Sequence, residues 1–448
     1  MNDRIDATAW RADLRHLAAE LPRRHQNLYH TIAREQLDAA VAALDGRIPA
    51  LPPHAIVVEL ARLVALIGDG HTYLDMGVFK DTDVGFRRYP VRLYLYSDGL
   101  FVQAAAGEAA HAAGARVVAI GDMPVERAYA LAGELVSRDN TIWIEHAAPQ
   151  LMAIPEVLHG LGLIADMERA ELTVERDGAR ETIELRPIAA GADVGWADAG
   201  DESGADVPLW LRDRQRHFWF EHLADHQTLY VQYNRVHDMP DETVAAFFER
   251  VFALADARPL RRLVLDLRHN RGGNGYLNQP IVHGLIRRDR INQPGRLFAI
   301  VGRGTFSAAM MLTVDLEKHT RALFVGEPTG ARPNMYGDNV QIVLPNSGLV
   351  VNASSLHWVY SEPRDARPWI VPDIAAELSS ADYRARRDPA LEAILRHVPS
   401  AADAETVAFP DRLFREIDPF LGEGDASRLA RYASRPAFGR AEPGAIRG

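Results

Sequence analysis

A serine stands where a buried strand is expected to lead into a helix. Residues 297–301 (LFAIV) form an apolar run typical of a buried strand, and a five-residue segment with two glycines (GRGTF, 302–306) leads from this run to Ser307. Apolar residues then recur at helical spacing. A helix amino terminus offers unbonded N–H groups and a positive dipole end, which suit a developing oxyanion. Ser307 is therefore a candidate acyl-transfer nucleophile, although a serine at such a junction is most often only a helix cap.

A glycine pair ends a second apolar run. Residues 263–273 read LVLDLRHNRGG, which is typical of a buried strand followed by a tight turn at Gly272–Gly273. Glycine lets a carbonyl group approach the backbone closely. We therefore expect the backbone at Gly272, Gly273 and Ala308 to form an oxyanion hole.

Together these motifs resemble the S41 serine peptidases, the family of C-terminal-processing and tricorn-type proteases. DLRHNRGG is similar to the strand and turn of that family, and GTFSAAM (304–310) is similar to its nucleophile segment. Further similar segments lie within residues 10–398: GDGHTYL (68–74), SRDN (137–140), YVQYNRV (230–236), VGEPTG (325–330), PNSGLVV (345–351) and VPDI (371–374). The resemblance implies an α/β fold with a ClpP/crotonase-type core, a mixed β-sheet and flanking helices. It also implies peptide hydrolysis through a Ser307 acyl-enzyme, with no cofactor and no metal.

The general base is expected to be a histidine rather than a lysine. Lysine occurs only at Lys80 and Lys318. C-terminal-processing relatives carry a lysine base about 25 residues after the serine, where this chain has Arg332, and the pKa of arginine is too high for that role. Lys318 lies eleven residues after Ser307 on the expected helix, too far along it to reach its start. The resemblance instead assigns the base to His71, as in the tricorn-type branch.

A third group should orient the imidazole of His71. In tricorn-type relatives an acid before the PD motif acts through a serine that precedes the histidine. This chain has Gly70 at that position. Asp365 is the favoured acid, and Glu362 and Asp69 remain alternatives.

Several polar residues near these motifs have two open interpretations. Arg332 either binds a substrate carboxylate or pairs with an acid, and Tyr233 either faces the substrate or packs in the core. We carry both as candidate substrate-binding residues. Asp266 and Arg268 are expected to pair at the strand end, and Asn270 to fix the loop.

Composition limits the class of protein. The 448 residues are 47% hydrophobic and 25% charged, as in a soluble globular protein of two or three domains. The absence of cysteine excludes disulfides and thiolate catalysis, and the net charge of -11 argues against a nucleic-acid partner. No HExxH-type metal spacing, GxxxxGK[ST] phosphate loop or GxGxxG turn occurs.

The cellular location is expected to be the cytoplasm. No apolar run approaches the length of a membrane span, about 18 residues, so no membrane partner is expected. The first residues lack the basic start and apolar stretch of a signal peptide. Removal of a leader would leave the same sequence and would imply a periplasmic or secreted protein. The expected partner is a peptide or protein substrate, and a homo-oligomer remains open.

Four segments are expected along the chain. They are a helical bundle (1–76), a β-rich, PDZ-like region (77–195), the catalytic core (196–398) and a C-terminal extension (399–448). The acidic, glycine-rich stretch 189–206 is interpreted as a linker or surface loop. Strands at 339–344 and 348–354 are assigned to the core, and a short docking helix is expected from residues 409–410 and 414–420.

Two alternatives to peptide hydrolysis remain open. The chain could be a binding protein with an idle site, as in the retinoid-binding repeats that resemble this family. It could also use the same serine as a hydrolase or cyclase on a small acyl substrate. Reactivity of Ser307 separates the first alternative from the enzymes, and cleavage of a peptide library separates the two enzymes.

Overall fold

The chain is divided into two compact units. The computed structural model describes residues 5–75, 86–189, 192–401 and 403. Of these residues, the first unit contains 5–75, 86–95, 100–189, 192–202 and 334–359, and the second contains 96–99, 203–333, 360–401 and 403. The chain therefore leaves the first unit three times, at residues 96, 203 and 360, and returns to it twice, at residues 100 and 334.

The first unit begins with the predicted helical bundle. Its helices are α1 (Ala7–Arg24), α2 (Arg34–Arg47) and α3 (Pro53–Ala65). Asp6 caps α1 by accepting a hydrogen bond from the Ala9 N–H at 2.8 Å. Buried residues recur on one face of α1, which confirms the helical spacing of the sequence: Trp10, Leu14, Leu17 and Leu21.

A small antiparallel sheet packs against this bundle. It has the order β1 (Tyr73–Leu74), β15 (Val350–Trp358) and β14 (Met335–Val343). Apolar side chains of β14 and β15 share one hydrophobic core with the three helices. The assignment of 339–344 and 348–354 to the catalytic sheet was therefore wrong. Alternating burial predicts a strand, but it does not specify the sheet that the strand joins.

A seven-stranded sheet completes the first unit. Its strands are β2 (Val91–Tyr96), β3 (Gly99–Ala106), β4 (Arg116–Ile120), β5 (Met123–Pro124), β6 (Ala170–Arg176), β7 (Ala179–Leu185) and β8 (Trp196–Asp198). Helices α4 (Val125–Gly133), α5 (Thr141–Leu151) and α6 (Pro155–Gly160) lie between β5 and β6 in the sequence. The predicted β6–β7 hairpin is confirmed, with positive φ at Asp177 and Gly178. The stretch 189–206 is not only a loop, because β8 pairs with β3.

The second unit is built on a six-stranded mixed sheet. Its order is β16–β13–β12–β11–β10–β9, and only the β9–β10 pair is antiparallel. The strands are β9 (Phe218–Leu223), β10 (Thr228–Tyr233), β11 (Arg262–Asp266), β12 (Leu297–Val301), β13 (Leu323–Gly326) and β16 (Ile374–Ala375). Strands β10 to β13 are buried along their whole length, as continuous apolar runs predict for a parallel sheet.

Helices connect the parallel strands of this sheet. They are α7 (Val244–Ala257), α8 (Gln279–Ile286) and α9 (Ala308–His319), followed by α10 (Ser380–Arg384) and α11 (Pro389–Arg396). One face of the sheet packs against α11 in a shared core. The predicted mixed α/β fold class with flanking helices and an N-terminal helical bundle is confirmed. The docking helix expected from residues 409–410 and 414–420 lies outside the described residues.

Candidate active site

Ser307 lies at the junction between β12 and α9, as predicted. Its backbone has φ 52° and ψ −126°, a combination that a residue with a side chain rarely adopts. Its side chain forms no capping hydrogen bond to the first turn of α9. The commonest structural explanation for a serine at this position, a helix cap, is therefore not the one observed. A strained backbone with a hydroxyl that does not cap is what an exposed nucleophile at this corner requires.

The glycine turn after β11 lies directly against this corner. A Cβ atom added to Gly272 would lie 2.6 Å from the Ser307 Cβ and 2.7 Å from the Ala308 nitrogen. A Cβ atom on Gly273 would lie 2.2 Å from the Val236 carbonyl oxygen. Both glycines also have positive φ, +100° and +140°. The structure thus brings together the three residues predicted for the oxyanion hole and the candidate nucleophile, and only glycine fits at the turn.

The backbone N–H groups of these residues are not equivalent. The Gly272 N–H donates to Asn270 Oδ1 at 2.9 Å, so the prediction of Gly272 as an oxyanion donor was wrong. Within the described residues the N–H groups of Gly273 and Ala308 donate to no acceptor. Two amides are therefore available to a ligand, one from the turn and one from the first residue of α9.

Buried side chains hold the two loops together. Asn270 is fully buried. Its side-chain Nδ2 donates to the Tyr233 carbonyl oxygen at 2.9 Å, and its backbone carbonyl oxygen accepts from the Phe306 N–H at 3.1 Å. Thr305 Oγ1 donates to the Leu267 carbonyl oxygen at 3.0 Å. Asn278 Nδ2 donates to the Ala308 carbonyl oxygen at 2.9 Å. The predicted role of Asn270 in the loop is confirmed, whereas Thr305 and Asn278 were not singled out from the sequence.

The predicted pair of Asp266 and Arg268 at the end of β11 is confirmed. Arg268 donates from its Nε to Asp266 Oδ1 at 3.0 Å, and its two terminal nitrogens reach the carboxylate of Asp388 at 3.0 and 2.9 Å. Asp266 is fully buried. This ion pair anchors the start of the loop that carries the glycine turn, and we assign it a structural role.

The two candidate substrate-binding residues are placed differently. Tyr233 is fully buried, and its ring contacts Phe218 and Phe248. Burial raises the pKa of its phenol well above the usual range. This environment favours packing over substrate contact and gives the predicted role no support. Arg332 is exposed, so its predicted role in binding a substrate carboxylate stays a prediction.

The favoured acid lies in a buried ion-pair cluster. Arg367 donates to Asp365 from its Nε at 3.0 Å, and to Glu317 on α9 from both terminal nitrogens at 2.9 and 2.8 Å. All three side chains are almost completely buried. Glu362 accepts from the backbone and the guanidinium of Arg364. The contacts of Asp365 are those of a structural ion pair, and its orienting role stays a prediction.

His71 lies in the first unit, on the segment between α3 and β1. Its backbone N–H donates to Asp69 Oδ1 at 2.7 Å, and the Thr72 N–H donates to the same oxygen at 3.1 Å. Ser354 on β15 adds a hydrogen bond to this oxygen at 3.1 Å. Asp69 is 1% exposed, so these bonds fix the backbone at His71.

A second histidine completes the network around Asp69. His25 Nδ1 accepts from the Asn27 N–H at 3.0 Å, so its Nε2 carries the proton and donates to Asp69 Oδ2 at 2.8 Å. Burial would raise the pKa of Asp69, but the hydrogen bonds from His25, Thr72 and the His71 backbone outweigh it and hold this pKa below its usual range. No motif in the sequence points to His25, which lies 44 residues from its partner Asp69.

The remaining site predictions concern lysine and metals. Lys318 lies near the end of α9, and its Nζ donates to the Tyr360 carbonyl oxygen at 3.0 Å. This contact agrees with the exclusion of a Ser–Lys pair. Over the part of the chain that the structure describes, no group of three or more His, Cys, Asp or Glu side chains is placed to hold a metal ion. In the same part, no helix is long and apolar enough to cross a membrane.

Comparison with known proteins identifies the fold. No family model matches the chain, and no curated protein matches it. The solved structure of mature CPAF complexed with lactacystin is similar, with a TM-score of 0.61 and 12% identity over 87% of this chain and 97% of that chain. A serine-to-alanine mutant of CPAF gives a TM-score of 0.61 and 12% identity, with 88% and 99% of the two chains covered. The chain therefore has the fold of CPAF over nearly its whole described length.

A more distant similarity also occurs. The photosystem II D1 C-terminal processing protease aligns over 88% of this chain and 98% of that chain, with 14% identity and a TM-score of 0.40. This score is too low to carry an argument about the fold.

Proposed function

We propose that the chain is a serine peptidase of the S41 type, with Ser307 as its nucleophile. The observation that carries the proposal is the corner at Ser307. A strained serine at a helix start lies against a glycine turn, and the N–H groups of Gly273 and Ala308 are available beside it. Acyl transfer through a tetrahedral oxyanion needs this combination of hydroxyl and amide donors.

The reaction follows the order of serine acyl transfer. His71 takes the proton of the Ser307 hydroxyl. The Ser307 oxygen then attacks the peptide carbonyl carbon and forms a C–O bond. The oxyanion accepts hydrogen bonds from the Gly273 and Ala308 amides. His71 then gives its proton to the leaving amine, and water releases the acyl group by the same steps in reverse.

The assignment of His71 rests on the resemblance of GDGHTYL to the histidine segment of tricorn-type peptidases. The hydrogen bonds of Asp69 to the His71 and Thr72 amides support it, because a general base must be held in a defined place. Asp365 remains our sequence-based choice for the orienting acid, and Glu362 is the alternative. Asp69 holds the backbone of His71 and is therefore a weaker choice.

The substrate is proposed to be a peptide or protein, because the S41 resemblance and the CPAF fold both favour this class. Since a CPAF structure contains lactacystin, this compound is a suitable competitor to test on this chain. A cytoplasmic location, a PDZ-like region, a ClpP/crotonase-type core and a homo-oligomeric assembly stay predictions from the sequence.

The test is cleavage of a peptide library, followed by mass spectrometry. We expect wild-type protein to cleave internal peptide bonds, Ser307→Ala to cleave none, and Ser97→Ala to match the wild type. Ser97 is an exposed serine in the turn between β2 and β3, so it controls for loss of a hydroxyl. Absence of cleavage by the wild type, combined with turnover of a small ester, would favour the small-acyl alternative.

A further inference from the structure

Arginines lie beside the glycine turn at Gly272–Gly273, one on the turn's own segment and one on the segment after β10 that pairs with it. Arg271 directly precedes Gly272 in the sequence. Arg235 directly precedes Val236, whose N–H donates to the Gly272 carbonyl oxygen at 2.9 Å and which pairs in parallel with Gly273. Arg235 is exposed, and Arg271 keeps part of its surface accessible although its guanidinium is desolvated. Two guanidinium-bearing residues therefore stand beside the turn that offers an amide to the oxyanion.

A third arginine comes from the segment before β9. The His217 carbonyl oxygen accepts from the Asn234 N–H at 2.7 Å and from the Arg235 N–H at 3.2 Å. His269 Nε2 lies 2.9 Å from the Trp210 carbonyl oxygen. These contacts fasten residues 210–217 to the loops after β10 and β11, and Arg214 lies within this fastened segment.

Arg214 and Arg235 act electrostatically on Arg271. Desolvation lowers the pKa of the Arg271 guanidinium, and the positive charges of Arg214 and Arg235 lower it further. The pKa of His269 is also lowered, first by desolvation and then by Arg214, so this ring stays neutral near pH 7. Repulsion among like charges is a cost in the free protein, and an anion bound among them would remove it.

Within the described residues, the nearby carboxylates do not pair with Arg214 or Arg235. Arg268 takes the carboxylates of Asp266 and Asp388, and Arg212 takes Glu221 at 3.1 Å. Within the described residues, neither Arg214 nor Arg235 forms an ion pair. Two aspartates lie near these arginines in the sequence: Asp213 directly precedes Arg214, and Asp238 lies three residues after Arg235. Asp238 accepts from the Val244 N–H at 2.7 Å, and neither aspartate forms an ion pair with an arginine in the described part of the chain.

We propose that Arg214, Arg235 and Arg271 form an anion subsite that binds a carboxylate of the substrate beside the oxyanion turn. This inference rests on the proposed peptidase function and narrows its substrate class to peptides that place a carboxylate, from a side chain or from the C-terminus, near the cleaved bond. Guanidinium groups suit the role because their planar donors match the two oxygens of a carboxylate. The whole chain carries a net charge of -11, so this group is a local feature and not part of a generally basic surface.

The carboxylate has two possible sources, which the substrates distinguish. One peptide pair differs by Glu or Gln near the cleaved bond, and a second pair differs by a free or an amidated C-terminus. We expect wild-type protein to prefer the acidic member of one pair by about 10-fold in kcat/KM, with the preference decreasing as salt rises from about 0.05 to 0.5 M. Arg214→Gln and Arg235→Gln should each reduce the preference about 2- to 5-fold, and the double variant should bring it close to one. The control Arg180→Gln changes an exposed arginine of the β6–β7 hairpin and should keep the wild-type preference.

A binding measurement separates failure of this inference from failure of the proposed function. Fluorescent forms of the same peptides are titrated onto Ser307→Ala, with and without the two arginine substitutions. Tighter binding of the acidic peptide that disappears in the arginine variants supports the subsite, even if the wild type cleaves nothing. Cleavage with equal preference for acidic and neutral peptides, unchanged in the double variant, would overturn the subsite and leave the peptidase proposal intact.

Discussion

Replacing Gly272 by alanine tests whether the turn after β11 shapes the site. The added methyl group would lie 2.6 Å from the Ser307 Cβ and 2.7 Å from the Ala308 nitrogen. Carbon atoms in favourable contact lie about 3.5 to 4.0 Å apart, so the turn and the serine corner must separate by about 1 Å. A displacement of that size at a reacting group costs about 100-fold in rate, and loss of an oxyanion donor costs about 100- to 1,000-fold. We expect Gly272→Ala to react with a fluorophosphonate at least about 100-fold more slowly than wild type.

A matched variant separates this effect from backbone strain. Gly178 also has positive φ, +80°, but a Cβ atom there would meet nothing within 4 Å. Both alanine variants should lose about 1–3 kcal/mol from strain, which thermal unfolding followed by circular dichroism measures. Only Gly272→Ala should also lose labelling in the folded protein. Labelling of Gly272→Ala at the wild-type rate would refute the packing of the turn against Ser307 as the basis of the site.

Three further predictions address the supports of the site. Arg367→Leu leaves the carboxylates of Asp365 and Glu317 buried without the guanidinium of Arg367, so chemical denaturation should show that the free energy of unfolding falls by about 3–5 kcal/mol. The control Arg180→Leu changes an exposed ion pair and should lower it by less than about 1 kcal/mol. Equal losses in the two variants would contradict the buried cluster. Asp69→Asn should destabilise the protein most near pH 7. The folded-state pKa of Asp69 is lowered, so its contribution is present above about pH 4 and is lost as the pH falls further; an effect independent of pH down to about pH 2 would contradict the hydrogen-bonded carboxylate. Lys318→Gln should keep full fluorophosphonate labelling, since its Nζ bonds to Tyr360; lost labelling in a folded variant would restore the Ser–Lys pair.

The parallel sheet and the serine corner could be predicted from the sequence because their signals are local. Continuous apolar runs gave β10 to β13 to within one or two residues, and the glycines marked the turn beside Ser307. Positions 335–358 show the limit of such signals. Their alternation predicted two strands, but the sheet that they join depends on contacts with helices hundreds of residues earlier.

The parts of the site that were missed depend on side chains that meet only after folding. Gly272 was expected to donate to the oxyanion, but the Asn270 side chain takes its N–H, and loop geometry decides this contact. Asp69 was considered a partner for the His71 ring. In the structure it bonds His25, Ser354 and the His71 backbone, from positions up to 285 residues away. Distant partners of this kind leave no periodic signal in one sequence.

The most direct test of the proposed chemistry is fluorophosphonate labelling, followed by mass spectrometry of the labelled peptide. We compare four proteins after circular dichroism confirms that each is folded: wild type, Ser307→Ala, His71→Ala and the control His226→Ala. His226 is an exposed histidine between β9 and β10. We predict a single adduct on Ser307 in the wild type and in His226→Ala, and none in the other two variants. An adduct on another serine, or no adduct on the folded wild type, would contradict Ser307 as the nucleophile. Labelling of His71→Ala at the wild-type rate would show that another group is the base.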